Sequence, residues 1–271
     1  LLLAGGTSLF RSRAMKWRKT SALALLCLFG AFLLPIQARL NNDARAAHLR
    51  KTALNLNLRE RIGQAGFLAA LSGFRSPLAA ILWIQAHTAW ENTEWGRMAG
   101  IFDTVTTLQP RSILYWDMSA WHMAWNAAVA AMQNEKQPSE ALRIRAQREY
   151  FRLGRDFLER GILNNPDSYQ LRVQLGIVLR DKFEDHCAAA DAFLKAAVIP
   201  NAPSYCARFA GYEMAKCPGR EREAYDHLRR LYLQGDKQRL PTLINLLQDM
   251  EKRLDIPHGE RIDSPAQSDK T

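Results

Sequence analysis

The sequence predicts an all-α chain, and three observations carry that expectation. Beyond residue 38, glycine and proline are sparse and fall in clusters. The long stretches between those clusters repeat apolar residues with the 3.6-residue period of a helix. Short phrases that close on proline also recur, at Pro110, Pro166 and Pro200, the last two 34 residues apart.

Composition sets the outer bounds. At 271 residues, 48% hydrophobic and 24% charged, the chain has enough apolar material for a core and no sign of global disorder. That length suits one extended domain plus a targeting segment. The net charge of +10 invites a nucleic-acid reading, but its location opposes one. Residues 1–38 hold Arg11, Arg13, Lys16, Arg18 and Lys19 and no acid, which leaves 32 basic against 27 acidic residues elsewhere. Those later charges lie on mixed-sign helix faces such as REREAYDHLRRLY, the pattern of a solvated surface, so no nucleic-acid partner is expected.

Taken in order, residues 1–14 read as an extension upstream of the start and are set aside. Met15 opens MKWRKTSALALLCLFGAFLLPIQARL, a basic flank followed by an apolar run to Ile36. The run's length falls between a signal peptide and a full membrane span. Ile36 is larger than the residue preferred three positions before a cleavage site, which favours an uncleaved signal anchor over residues 15–38. The N-terminus is then cytoplasmic and the body extracytoplasmic, in the periplasm. Leu26 before Cys27 is too bulky for a lipidation site.

DARAAHLRKTALNLNLRERIGQAGFLAAL, residues 43–71, is expected to form one helix that ends at Ser72 and Gly73. Ser76 and Pro77 suit the N-cap and first position of the next helix, running to about Thr88. The segment 64–84 is apolar enough to suggest a second span, yet Arg75 lies at its middle and SGFRSP breaks it. A core-packing or membrane-surface hairpin is the expectation, with a re-entrant segment as the alternative.

The proline-closed phrases share more than their ends. Each has a slim residue, a bulky one four on and another three further: Gly154, Leu158 and Gly161; Ala189, Phe193 and Ala196. Met98, Phe102 and Val105 form an earlier copy, and Ala224, Leu228 and Leu231 a fourth, with Gly235 in place of proline. These phrases resemble the second helix of the tetratricopeptide repeat, and VQLGIVL supplies the Leu-Gly pair of a first helix. The resemblance covers about residues 77–254. It departs from the pattern where 56 residues separate Pro110 from Pro166, with helices near 112–133 and 139–163. It implies a TPR-like solenoid of antiparallel helix pairs preceded by the signal-anchor helix. The phrases GFRSPLAAILWIQA, LQPR and WHMAWN are also similar to a group of membrane-anchored bacterial repeat proteins, a likeness that implies no particular activity. The expected organisation is a linker and helix over 39–76, a repeat domain over 77–255 capped by PTLINLLQDMEKRLD, and a disordered tail over 256–271.

YWDMSAWHMAWNAAV, residues 115–129, is the richest stretch in chemistry. With Trp116 and Ala120 at the core positions of a first helix, Asp117, Trp121 and Trp125 fall where the repeat family looks into its concave groove. His122 turns aside, and Asn126 adds a polar handle. The stretch fits two readings: a partner-binding groove, or an aromatic stripe covering the 64–84 hairpin from within. Arg172, Arg180 and Arg208 are the possible rim charges. A haem site on His122 with Met118 or Met123 fails, because ligands so close on one helix cannot take opposite faces of one iron and no C-x-x-C-H accompanies them. His186, Cys187, Cys206, Cys217 and His227 match no zinc spacing, so no metal or other cofactor is expected. Cys206 and Cys217, about 16 Å apart if on one helix, are beyond bridging range. Cys187 and Cys217 sit at ends of antiparallel neighbours and fit a disulfide, with three buried thiols as the alternative. On the surface, Asp226 is expected to pair with Arg230. No nucleophile, zinc-protease or phosphate-loop motif is present, so an enzyme is not expected.

The expected function is a membrane-tethered scaffold that binds a partner protein or peptide in the bacterial envelope. The alternative is an accessory subunit of an envelope enzyme or transport complex, docking through the 64–84 hairpin.

Overall fold

The computed structural model describes residues 73–262 and Arg39. The extension 1–14, the leader 15–38 with Cys27, the helix expected over 43–71 and residues 263–271 lie outside the described residues. All described residues except Arg39 belong to the compact unit Leu54–Thr271.

The described chain is all-α, with no strand. Its helices are α1 (Arg75–Glu91), α2 (Trp95–Leu108), α3 (Ile113–Trp121), a π-helical stretch (His122–Ala127) leading into α4 (Ala128–Met132), and α5 (Glu140–Asn164). Then follow α6 (Tyr169–Phe183), α7 (His186–Ala197), α8 (Tyr205–Met214), α9 (Glu221–Tyr232), α10 (Pro241–Arg253) and a short 3-10 turn, His258–Glu260. Among these helices none is long and apolar enough to cross a membrane.

Local chemistry sets several of the boundaries. Ser168 caps α6 by accepting from the Leu171 amide at 3.2 Å, and Asp185 caps α7 by accepting from the Ala188 amide at 2.9 Å. Pro241 begins α10, where its missing N–H is one the helix cannot use anyway. At the first helix the chain departs from expectation. α1 starts at Arg75 and continues to Glu91, so Ser76 and Pro77 lie inside its first turn. Proline is tolerated there because first-turn amides have no carbonyl to bond. Ser76 instead accepts from the Gln109 side chain at 2.7 Å, tying the start of α1 to the end of α2.

Neighbouring helices run antiparallel, as their cross-contacts show. Trp83 meets Phe102 between α1 and α2, and Phe151 meets Phe183 between α5 and α6. Tyr225 donates to Glu251 between α9 and α10. Helix α5 approaches α3 and the π-helical stretch so closely that a Cβ on Gly154 would lie 2.7 Å from the Ala124 Cβ, and one on Gly161 would lie 2.8 Å from the Trp116 ring. Met98, Phe102 and Val105; Gly154, Leu158 and Gly161; Ala189, Phe193 and Ala196; and Ala224, Leu228 and Leu231 are all buried. The turns also interlock: the Asn165 side chain and the Trp116 indole both donate to the Pro110 carbonyl at 2.9 Å.

Cys187 at the start of α7 and Cys217 just beyond α8 are joined by a disulfide, with Cα atoms 4.9 Å apart. Beside it the buried Glu213 carboxylate meets His186 Nδ1 at 2.7 Å and Lys216 Nζ at 3.3 Å. Cys206 is a buried free thiol. Two expectations need correction. Asp226 pairs with Arg222 at 3.4 Å and not with Arg230. The first residues assigned to the tail pack against the body: Ile256 and Ile262 are buried, and the Ile262 amide donates to Glu251 at 2.8 Å. Two isolated isoleucines in polar sequence suffice because a buried carboxylate anchors the backbone between them.

Candidate functional site

The helix built from α3, the π-helical stretch and α4 has two unlike sides. Trp116, Ala120, Met123, Ala124, Ala127 and Ala128 are buried toward the core. The opposite side carries Leu114, Asp117, Trp121, Trp125 and Val129, of which Leu114 is 61%, Trp121 43% and Val129 46% exposed. Spacings of four drift around an α-helix, since 3.6 residues complete a turn. Between His122 and Ala127 the turn widens, and the Ala128 amide donates to the Met123 carbonyl five residues back. That extra residue takes up part of the drift and holds Trp121, Trp125 and Val129 near one line.

The three tryptophans therefore separate. Trp116 is core, packed on Phe157 with ring centroids 6.3 Å apart. Trp125 is half-buried, with Lys182 Nζ from the end of α6 placed 4.6 Å over its ring. Trp121 projects outward and meets only the edge of His122 among described aromatic rings, at 5.0 Å. Toward α1 the same stretch presents Tyr115 and His122, and residues 64–72 of the 64–84 hairpin lie outside the described residues. Trp83 packs on Tyr115 and Phe102, and Trp90 on His122.

Asp117 is half-buried, and burial holds its carboxyl above the ordinary carboxylate range. No hydrogen bond or ion pair reaches it from the described residues. Burial lowers the Lys182 ammonium, against a smaller opposing pull from Asp181. His122 is lowered by burial and secondarily by His87. The Asn126 amide nitrogen lies 3.1 Å from His122 Nδ1, to which it donates in the neutral tautomer protonated at Nε2. Asn126 thus engages His122 within its own helix, beside the stripe.

The expected rim arginines lie on other helices, each held by near neighbours. Arg172 donates to the Pro166 and Ser168 carbonyls at 2.5 and 3.1 Å, and Arg180 to both carboxylate oxygens of Asp181 at 2.6 and 3.2 Å. Arg208 donates to the Gln238 side chain at 2.5 Å and Ser204 at 3.2 Å. Among the described residues no group of three His, Cys, Asp or Glu side chains could hold a metal ion. An open cleft of about 520 Å³ lies between α1 and α2, lined by Leu82, Gln85, Gly100 and Asp103, whose carboxylate is held by Arg160 at 2.7 Å.

Comparison of the chain with protein-family models, with curated proteins and with solved structures gives no match. Val129, four residues beyond Trp125, and Leu114, seven before Trp121, extend the stripe and were accessible to helical periodicity alone. Lys182 was not, because it lies 57 residues from Trp125 and no local pattern connects them. The stripe thus combines an exposed indole, flanking aliphatics and a half-buried carboxylate with no hydrogen bond or ion pair from the described residues.

Proposed function

We propose that the chain is a membrane-tethered scaffold of the bacterial envelope, in which a TPR-like stack of antiparallel helix pairs presents the Leu114–Val129 stripe to a partner protein or peptide. The observation that carries this reading is Trp121, a large apolar side chain 43% exposed in line with an Asp117 that has no partner among the described residues. Tryptophan gives much contact area at small entropic cost, and a desolvated carboxylate rewards a partner that brings a donor or cation. The repeated burial of slim and bulky residues in α2, α5, α7 and α9 supports the repeat-array part of the proposal. The Cys187–Cys217 bond suits an oxidising compartment such as the periplasm, and the leader sequence supplies the tether. The role is binding and not catalysis.

Affinity capture from solubilised membranes tests it. Trp121→Ala is expected to lose the partner while melting little changed, because the side chain is 43% exposed and lies outside the buried core. Retention of the partner by that variant contradicts the proposal. A second reading, an accessory subunit docking through residues 64–84, is favoured by Ile81 and Ile84 on α1, which are 54% and 67% exposed. Under it, Ile81→Glu with Ile84→Glu releases the partner and Trp121→Ala does not.

A further inference from the structure

Three of the most exposed aliphatic side chains are evenly spaced. Leu163, Val198 and Leu233 are 81%, 82% and 51% exposed, and 35 residues separate each from the next. Leu163 lies in the last turn of α5, and Val198 and Leu233 are the residues that end α7 and α9. Because neighbouring helices alternate in direction, α5, α7 and α9 run the same way and end at the same edge. Single exposed aliphatics need no explanation, but the same type at the same place in three successive hairpins does.

A cation precedes each of them by three residues, on the same helix face: Arg160, Lys195 and Arg230. Basic residues near a helix C-terminus complement its dipole, and that alone accounts for charge there. It does not account for the exposed aliphatic beside it. Arg160 is turned inward, paired with Asp103 at 2.7 Å and stacked over Phe157. Lys195 and Arg230 have no ion pair among the described residues, Asp226 being taken by Arg222. The turns at this edge add Arg111 and Lys237 against Asp167 and Asp236, the last held by Arg239 at 3.4 Å. The edge is thus a row of aliphatic tips with uncompensated positive charge beside two of them.

We infer that this turn edge is a peripheral membrane contact, in which Leu163, Val198 and Leu233 dip into a bilayer bearing anionic headgroups while Lys195 and Arg230 meet the phosphates. Long cationic side chains reach headgroup level while short aliphatic ones enter the acyl boundary, and neither signal alone holds a protein firmly. This goes beyond the proposed partner surface, which is carried by the helix from Ile113 to Met132 and not by the ends of α5, α7 and α9. It rests on that proposal only for the tether, which keeps the edge near lipid and makes a weak contact sufficient to orient the body.

The test uses the full chain with Cys27→Ser, reconstituted into vesicles of equal parts phosphatidylglycerol and phosphatidylcholine. Single nitroxides are attached at Leu163→Cys, Val198→Cys and Leu233→Cys, with Arg222→Cys on an exposed helix face as control. Power saturation is expected to show collision with dissolved oxygen favoured over a water-soluble nickel chelate at the three edge sites and not at 222. Lys195→Glu with Arg230→Glu, or pure phosphatidylcholine, is expected to reduce the ratio of lipid-contacting to water-exposed label by roughly thirtyfold. Three labels as water-accessible as the control, in a chain that co-floats with the vesicles, overturn the inference and leave the tether intact. Edge protection that appears only when another protein is added, or that ignores both charge reversal and lipid charge, also overturns it. A chain that fails to co-float overturns the tether and the edge together, while capture through Trp121 is scored separately.

Discussion

Replacing Gly154 by alanine should destabilise the fold, although the same change at Gly100 should stabilise it. Both residues lie within helices, where glycine costs about 0.5–1 kcal/mol relative to alanine through lost backbone entropy. At Gly100 an added Cβ meets nothing within 4 Å, so that gain is kept in full. At Gly154 the added Cβ meets the Ala124 Cβ at 2.7 Å, the Ala120 carbonyl oxygen at 2.9 Å and the Ala124 amide nitrogen at 3.1 Å. Two of those atoms are backbone, so α3 and α5 must separate, and overpacking of this kind costs about 1–3 kcal/mol. The net expectation is a loss of about 1 kcal/mol at Gly154 and a gain of somewhat less at Gly100. For about 200 folded residues these correspond to melting shifts of about 2–4 °C in opposite directions. The assay is urea unfolding of the full chain in mild detergent, followed by circular dichroism at 222 nm. Adding Ala124→Gly should recover only part of the Gly154→Ala loss, because the Ala120 and Ala124 backbone contacts remain. A rise in midpoint for Gly154→Ala as large as that for Gly100→Ala would refute the close helix approach.

Three further outcomes follow from particular contacts. The disulfide closes a loop of 30 residues, so Cys187→Ser with Cys217→Ser should cost about 3–4 kcal/mol in the chain-entropy model, and reductant should lower the wild-type unfolding free energy from urea titration by the same amount. Burial lowers His122, so between about pH 7.5 and pH 5 the unfolded chain takes up a proton that the folded ring refuses until lower pH. Stability should therefore fall over that window and level off below the folded pKa, and His122→Gln should flatten the slope; equal slopes would contradict the burial. Glu251→Ala removes the acceptor of the Ile262 amide and the Tyr225 hydroxyl, which should cost about 1–3 kcal/mol and raise hydrogen exchange across residues 256–262.

Much of the fold was legible because helix ends leave chemical marks. Pro110, Pro166 and Pro200 each lie within two residues or so of a helix end, and the slim-bulky-slim phrases of α2, α5, α7 and α9 are buried. The start of α1 was displaced because proline fits anywhere in a first turn, so Pro77 could not distinguish its first position from its third. Asp226 has an arginine four residues away on either side, and spacing alone does not choose between Arg222 and Arg230. The site was legible as a stripe but not as a surface. Aromatic residues four apart serve a core as well as a groove, and only the widened turn at His122–Ala127 and the inward direction of Trp116 separate Trp121 from it. Lys182 over Trp125 depends on how α6 closes against α5, which no local pattern encodes.

The central claim is that the Trp121 face holds a partner, and site-specific photocross-linking reads it most directly. A photoreactive phenylalanine placed at position 121 of the full chain in intact membranes should give one discrete light-dependent adduct, diminished by Asp117→Asn, with none from the same group at position 222. No adduct at 121, or equal adducts at 121 and 222, would contradict the account.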